Sequence, residues 1–162
     1  MKTDDMRHEL AQLGGGAHAL ATQILGNPDD AEDAVHDALE KALRQPDSYD
    51  SGKGPLKPWF LRIVRNRCID LVRRRRPTED RVEEISDSAM GPDKAAELAD
   101  RDRVLKQALA SLESEQRQII VLRDYMDLSY AEIANVLDIA AGTVMSRLHR
   151  ARVALGKAYR EL

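Results

Sequence analysis

The sequence predicts an all-α protein of two small helical bundles joined by a flexible acidic linker, the second bundle containing a helix-turn-helix. Three observations predict it. Apolar residues recur at three- and four-residue spacing in each long segment. Thr78 to Asp93 is acidic, poor in apolar residues and carries Gly91-Pro92, so it reads as a tether between two halves. Ser129 to Arg152 then reads as two capped helices around a tight connection. The division is 1–76, a linker over 77–94, and 95–162.

A length of 162 residues suits one large domain or two small ones. A net charge of −3 with 33% charged residues indicates a soluble chain and argues against indiscriminate nucleic-acid binding. The charge is segregated. Asp29, Asp30, Glu32, Asp33, Asp37, Glu40, Asp47 and Asp50 face only Lys41 and Arg44, whereas Arg62, Arg65, Arg67 and Arg73 to Arg76 face only Asp70. Such blocks make separate acidic and basic contact surfaces. No apolar run approaches a membrane span and no signal-peptide core is visible, so no membrane insertion is expected. A lone Cys68 forms no internal disulfide, which fits a reducing cytoplasm.

In chain order, Met1 to Asp5 is expected to fray. Leu10, Leu13, Ala17, Leu20, Ala21, Ile24 and Leu25 keep helical spacing, interrupted by Gly14-Gly15-Gly16. Each glycine costs about 1 kcal/mol relative to alanine, so the helix is expected to be secure only from Ala17. Gly26 supplies a C-cap, Asn27 an N-cap and Pro28 the first helical position of the next helix, which runs to Arg44. Its seam is Ala31, Ala34, Val35, Ala38, Leu39 and Ala42, and its outer side carries Glu32, Asp33, His36, Asp37 and Glu40. Gln45 to Lys57 is a loop by composition, and Pro58 is expected to open a third helix over 59–74, buried along Leu61, Val64, Cys68 and Leu71 or Val72. Arg62, Arg65, Asn66, Asp70 and Arg73 fall on its other faces. Trp59 and Cys68 read as core residues.

In the second half, Leu98, Leu105, Ala108 and Leu109 predict a helix from 95, and Ser111 to Ser114 start another that buries Ile119 to Leu122. Ser129 with Glu132 forms a capping box. Ile133, Ala134, Val136 and Leu137 supply the buried side of its helix, Asp138 takes the turn, and Gly142-Thr143 begins the second helix. Val144, Leu148, Ala151 and Leu155 form one stripe, so Thr143, Ser146, His149 and Arg150 face out, with Arg147 and Arg152 on the flanks. A basic outer helix without acids in this setting suits a DNA major groove.

No catalytic constellation is found. His8, His18, His36 and His149 are scattered without metal-ligand spacing, and GxxxxGK[ST], GxGxxG and GxSxG do not occur. No catalytic residue, metal or cofactor is expected.

The segment LSYAEIANVLDIAAGTVMSRLHRARVAL resembles the promoter-reading module of extracytoplasmic-function (ECF) sigma factors of the sigma-70 family, and PWFLRIVRNRCIDLVRRRR resembles their region two. Asp138 stands where that turn usually has Gly, and Met145 where a basic or polar residue is common. The resemblance implies a sigma factor that does no covalent chemistry and gives promoter specificity to core RNA polymerase. It implies −35 contacts by Thr143, Ser146, Arg147, His149 and Arg150. It implies −10 contacts by Tyr49, Asp50, Ser51, Arg62, Arg65, Asn66 and Arg73. Asp33, Asp37 and Glu40 are implied to dock on the clamp of the polymerase β′ subunit, and an anti-sigma factor is a further expected partner. Two alternatives stand beside this: a sigma-like mimic that titrates an anti-sigma factor, and a dimeric helix-turn-helix regulator, which leaves the first half unexplained.

Overall fold

The computed structural model describes residues 3–75 and 94–162, with side chains from 99 onward in the second stretch. The linker expected over 77–94 therefore lies outside the described residues, except that residue 94 already opens a helix. Among the described residues every regular element is helical.

The first bundle comprises α1 (Thr3–Gln12), α2 (Gly14–Leu25), α3 (Pro28–Arg44) and α4 (Leu56–Arg74). Helix starts at Thr3 and continues through the glycines, broken only at Leu13, so the expectation of secure helix from Ala17 is corrected. Local propensity loses because α1 and α2 bury Met6, Leu10, Ala17, Leu20, Ala21 and Leu25, and packing outweighs about 1 kcal/mol per glycine. The α2–α3 corner follows the sequence. Gly26 is left-handed at φ 74°, and the Asn27 side chain accepts from the Asp29 and Asp30 amides at 2.8 and 3.2 Å ahead of Pro28. Four alanines, Ala31, Ala34, Ala38 and Ala42, are fully buried along α3, which lets it approach α2 and α4 closely. The loop after α3 contains two 3₁₀ turns, Pro46–Ser48 and Ser51–Lys53, and α4 starts at Leu56, ahead of the expected Trp59, because Pro58 sits within its first turn. Cys68 is buried and Val72 is exposed, so Leu71 is the residue that completes the α4 stripe.

The second bundle comprises α5 (Lys94–Ala110), α6 (Ser114–Ile120), α7 (Tyr130–Leu137) and α8 (Ala141–Arg160). Leu105, expected in the buried stripe of α5, is 40% exposed, while Ala108 is buried. After α6 the chain widens into a π-turn, Val121–Tyr125, in which the Met126 amide donates to Val121 O at 2.9 Å. That turn carries Met126 across to the first bundle.

One apolar core runs through both bundles, with α4 packed on α7 and α2 on α6. Gly16 marks a close approach: a Cβ there would stand 2.5 Å from Met126 Cε. Beside it Lys57 Nζ donates to the Met126 carbonyl at 2.8 Å, and Arg117 Nε donates to Gln23 O, near the C-terminal end of α2, at 3.2 Å. Cations at helix C-terminal carbonyls are favoured by the helix dipole. Arg117 also donates to the carbonyls of Ala110 and Leu112, tying the α5–α6 corner together.

Candidate nucleic-acid interface

The helix-turn-helix is built as its residues dictate. Ser129 Oγ accepts from the Glu132 amide at 3.1 Å, and Glu132 Oε1 accepts from the Ser129 amide at 2.9 Å, closing the capping box. Ile133, Val136 and Leu137 are buried, and α7 ends on Asp138 in the left-handed conformation at φ 55°. Asp tolerates that region better than most non-glycine residues, which explains its use at the turn. Val144, Leu148 and Ala151 fill the core beneath α8, so Ser146, Arg147, His149 and Arg150 all lie exposed, with Thr143 half-buried at the helix start. Ser146 Oγ donates to Thr143 O at 3.0 Å, leaving its lone pairs outward as acceptors. Arg152 turns away from the outer face and pairs with Asp124 in the π-turn at 3.2 and 2.5 Å, and that hydrogen bond raises its pKa. Met145 adds an exposed apolar side chain to the outer face of α8.

The α4 candidates divide. Asn66 and Arg73 are exposed. Arg62 and Arg65 instead meet the second bundle. Arg62 donates to Asn135 Oδ1 at 3.2 Å and lies 3.6 Å from an Asp138 carboxylate oxygen. Arg65 Nε donates to Gln118 Oε1 at 2.7 Å, and burial lowers its pKa, with nearby Glu115 and Asp138 opposing that shift. Arg65, Glu115, Gln118, Arg147 and Arg150 thus line one cleft of 310 Å³ between the bundles. The structure brings the arginines expected at two separate promoter elements to a single place.

In the loop before α4, the Tyr49 hydroxyl donates to Gly54 O at 2.9 Å, and its ring lies 5.3 Å from that of Trp59 at a 52° tilt. Asp50 Oδ1 accepts from the Gly52 amide at 2.9 Å. Tyr49 is half-buried as a strut of the loop, whereas Asp50 and Ser51 are exposed on it.

On α3, Asp33 is exposed, and Glu40 sits 3.6 Å from His36 and 3.9 Å from Arg44. Asp37 is engaged: Arg67 reaches it at 3.1 Å while also holding Asp70 at 3.1 Å. Arg75 likewise joins Asp30 at 2.9 Å and Leu25 O at 2.8 Å. The acidic and basic blocks are therefore neighbours that partly neutralise one another. A 520 Å³ groove lined by Asp37, Glu40, Asn66, Arg67 and Asp70 runs between α3 and α4. Sequence reasoning missed Arg67, Gln118, Lys57 and Arg117. The one visible signal was Gln118, a polar residue ahead of an apolar run.

Among the described residues no helix is long and apolar enough to cross a membrane. Residues 10–78 match the Sigma-70 region 2 family model, and residues 102–155 match that of Sigma-70, region 4. The chain is 31% identical over 157 residues to the ECF RNA polymerase sigma factor SigW of Bacillus subtilis, covering 90% of this chain and 83% of that one. It is 32% identical over 152 residues to EcfG of Rhodopseudomonas palustris, covering 93% and 82%. Among solved structures it is similar to the sigma factor RpoE of Bartonella quintana, which was solved with the anti-sigma factor NepR. The TM-score is 0.73 at 30% identity, covering 96% of this chain and 97% of that one. With two sigma-70 regions in order and relatives of this likeness over most of its length, the chain belongs to the extracytoplasmic-function sigma factors, which direct promoter-specific initiation by RNA polymerase.

Proposed function

We propose that α8 reads the −35 element through Thr143, Ser146, Arg147, His149 and Arg150, and that α4 with its preceding loop engages the −10 element. The observation that carries this is the outer face of α8, where four polar or basic side chains stand exposed over a stripe formed by Val144, Leu148 and Ala151. Arginine pairs with guanine edges or phosphates, and a helix start with Thr143 favours backbone phosphate. On α4, Asn66 offers an amide for a base edge, Arg73 supplies phosphate attraction, and Arg62 and Arg65 join them once released from the second bundle. Asp50 and Ser51 lie on the loop that would receive unstacked bases, and Tyr49 holds that loop in shape. Asp33, Asp37 and Glu40 on α3 form the docking surface for the polymerase clamp. An anti-sigma factor, as bound by the Bartonella relative, is a fitting regulatory partner, and the site of action is the cytoplasm. The chain itself contributes recognition and strand capture and no covalent chemistry.

Run-off transcription with core polymerase on paired templates, with intact and scrambled −35 elements, tests the reading. Strong output from the first alone is expected. Equal output rejects the role of α8, and no polymerase-dependent output at all favours a mimic. A −10 library scored with wild type and Asn66→Ala is expected to return different base preferences; identical preferences reject Asn66 as a base reader.

A further inference from the structure

We propose that Met145 is a sequence-reading residue of α8, which takes the 5-methyl group of a pyrimidine, thymine first, at the major-groove edge of the −35 element. This inference rests on the assignment of α8 above and adds an apolar contact to its polar ones.

Helix α8 advances about 100° per residue. Val144 lies in the buried stripe with Leu148 and Ala151, so position 145 is turned off that stripe, and Met145 is 62% exposed. Over residues 141–150 it is the one exposed large apolar side chain. Arg147 and Arg150 line the cleft toward α4, whereas Met145 lies outside it, in a row with His149 four residues on. Gly142, one turn earlier, keeps that row open. Its φ is not positive and nothing lies within 4 Å of where its Cβ would stand, so neither backbone conformation nor internal packing demands glycine there. Helix side chains tilt toward the N-terminus, so position 145 leans toward this free space.

The thioether brings no charge and no hydrogen-bond donor, so it holds no phosphate and pairs with no purine edge. On a face that closes over DNA, such a side chain would displace water from polar base edges without replacing their hydrogen bonds. The exception is the C5-methyl, the apolar group of the major groove, which thymine carries and unmodified cytosine lacks. Methionine is unbranched and polarisable, and it adapts to a target of that size. A 5-methylated cytosine presents the same group.

The test uses holoenzyme reconstituted from core polymerase and the full chain, on duplex promoters whose −35 element the parent holoenzyme has selected from a randomised library. Each −35 thymine is replaced in turn by deoxyuridine, which lacks only the methyl, and each cytosine by 5-methylcytosine. Competition filter binding is expected to find one thymine whose methyl is worth about fourfold in affinity to the parent, the effect of burying one methyl-sized group. The same methyl is expected to be worth nothing to Met145→Ala, and Met145→Leu is expected to keep most of the preference. Met145→Arg is expected to lose it, to bind all templates more tightly and to steepen the salt dependence by about 0.9 for each phosphate gained. An exposed position accepts these changes without loss of the fold. A preference confined to a 5-methylated cytosine supports the contact and makes modified DNA the source of the methyl. Methyl effects equal in the parent and Met145→Ala, or absent from both base types, overturn the proposal and leave the α8 assignment standing. A library that returns no preferred −35 sequence rejects α8 as the reader, and the proposal with it.

Discussion

Arg65 on α4 donates to the side-chain oxygen of Gln118 on α6 at 2.7 Å, and Gln118 Nε2 in turn donates to Ser114 Oγ at 3.0 Å. Gln118 is 3% exposed, the one buried polar or charged side chain among the described residues. A buried amide in this position is tolerated because both its ends are satisfied. Removing it leaves the half-buried Arg65 guanidinium without its amide partner.

Gln118→Ala is therefore expected to destabilise the chain by about 1–3 kcal/mol, the penalty for stranding buried polar groups. Asn135, which is exposed, is expected to tolerate alanine within about 0.5 kcal/mol. Urea unfolding of the two variants side by side checks the difference, and equal costs would show that Gln118 is a bystander.

Charge reversal on α3 is expected to separate two residues that look alike in the sequence. Asp33→Lys touches no described partner and should leave unfolding within about 0.5 kcal/mol. Asp37→Lys confronts Arg67 at a site 3.1 Å from its guanidinium and should cost about 1 kcal/mol after allowance for solvent screening. Both should weaken core polymerase binding, most at low salt. Unchanged capture of core enzyme by the double variant would remove α3 from the docking surface.

On α8 the expected outcomes are opposite for neighbouring positions. Leu148 is 1% exposed, and Leu148→Ala should cost roughly 2–5 kcal/mol of stability. Arg150→Ala should leave the fold intact, lose about 1–3 kcal/mol of discrimination at one −35 base pair, and still bind core polymerase. Filter binding to −35 point-variant duplexes, paired with thermal unfolding, measures both; discrimination unchanged in Arg150→Ala would exclude a base contact.

Cys68 gives a pH signature. Burial pushes its thiol from 9.0 up to about 11, so the protonated form is the one the fold prefers. Its contribution is whole below pH 9 and is lost as pH rises through 11, an upper bound of about 3 kcal/mol for a two-unit shift. Cys68→Ala is expected to flatten the stability profile across that window. Parallel profiles for the two proteins would place the thiolate at no disadvantage in the fold.

The helix-turn-helix was legible in the sequence because its determinants are local. A capping box spans three residues, and Val144, Leu148 and Ala151 announce their own stripe. The Gly26-Asn27-Pro28 corner was legible for the same reason. Gly16 was not, since its value depends on Met126, which is distant in sequence and adjacent in space. Local propensity read the glycines as a break; the break falls at Leu13, and the glycines form the first turn of α2. Arg62 and Arg65 were legible as basic residues off the apolar stripe, but their present partners Asn135 and Gln118 look like ordinary surface amides. Asp37 read as a free surface acid, and only the fold pairs it with Arg67. Periodicity reports which face a residue occupies and carries no information about what that face meets.

The π-turn at Val121–Tyr125 makes the meeting of the two halves a matter of phase. Each residue added to or removed from a helix rotates everything beyond it by about 100°. Deleting one residue from this turn would restore ordinary helix, yet swing the Met126 side chain and carbonyl away from Gly16 and Lys57. Changes of residue type along the segment preserve that angle, and a change of length by one destroys it. A single-codon insertion or deletion there would therefore turn Met126 away from Gly16 and shift Val121 and Leu122 within the shared core.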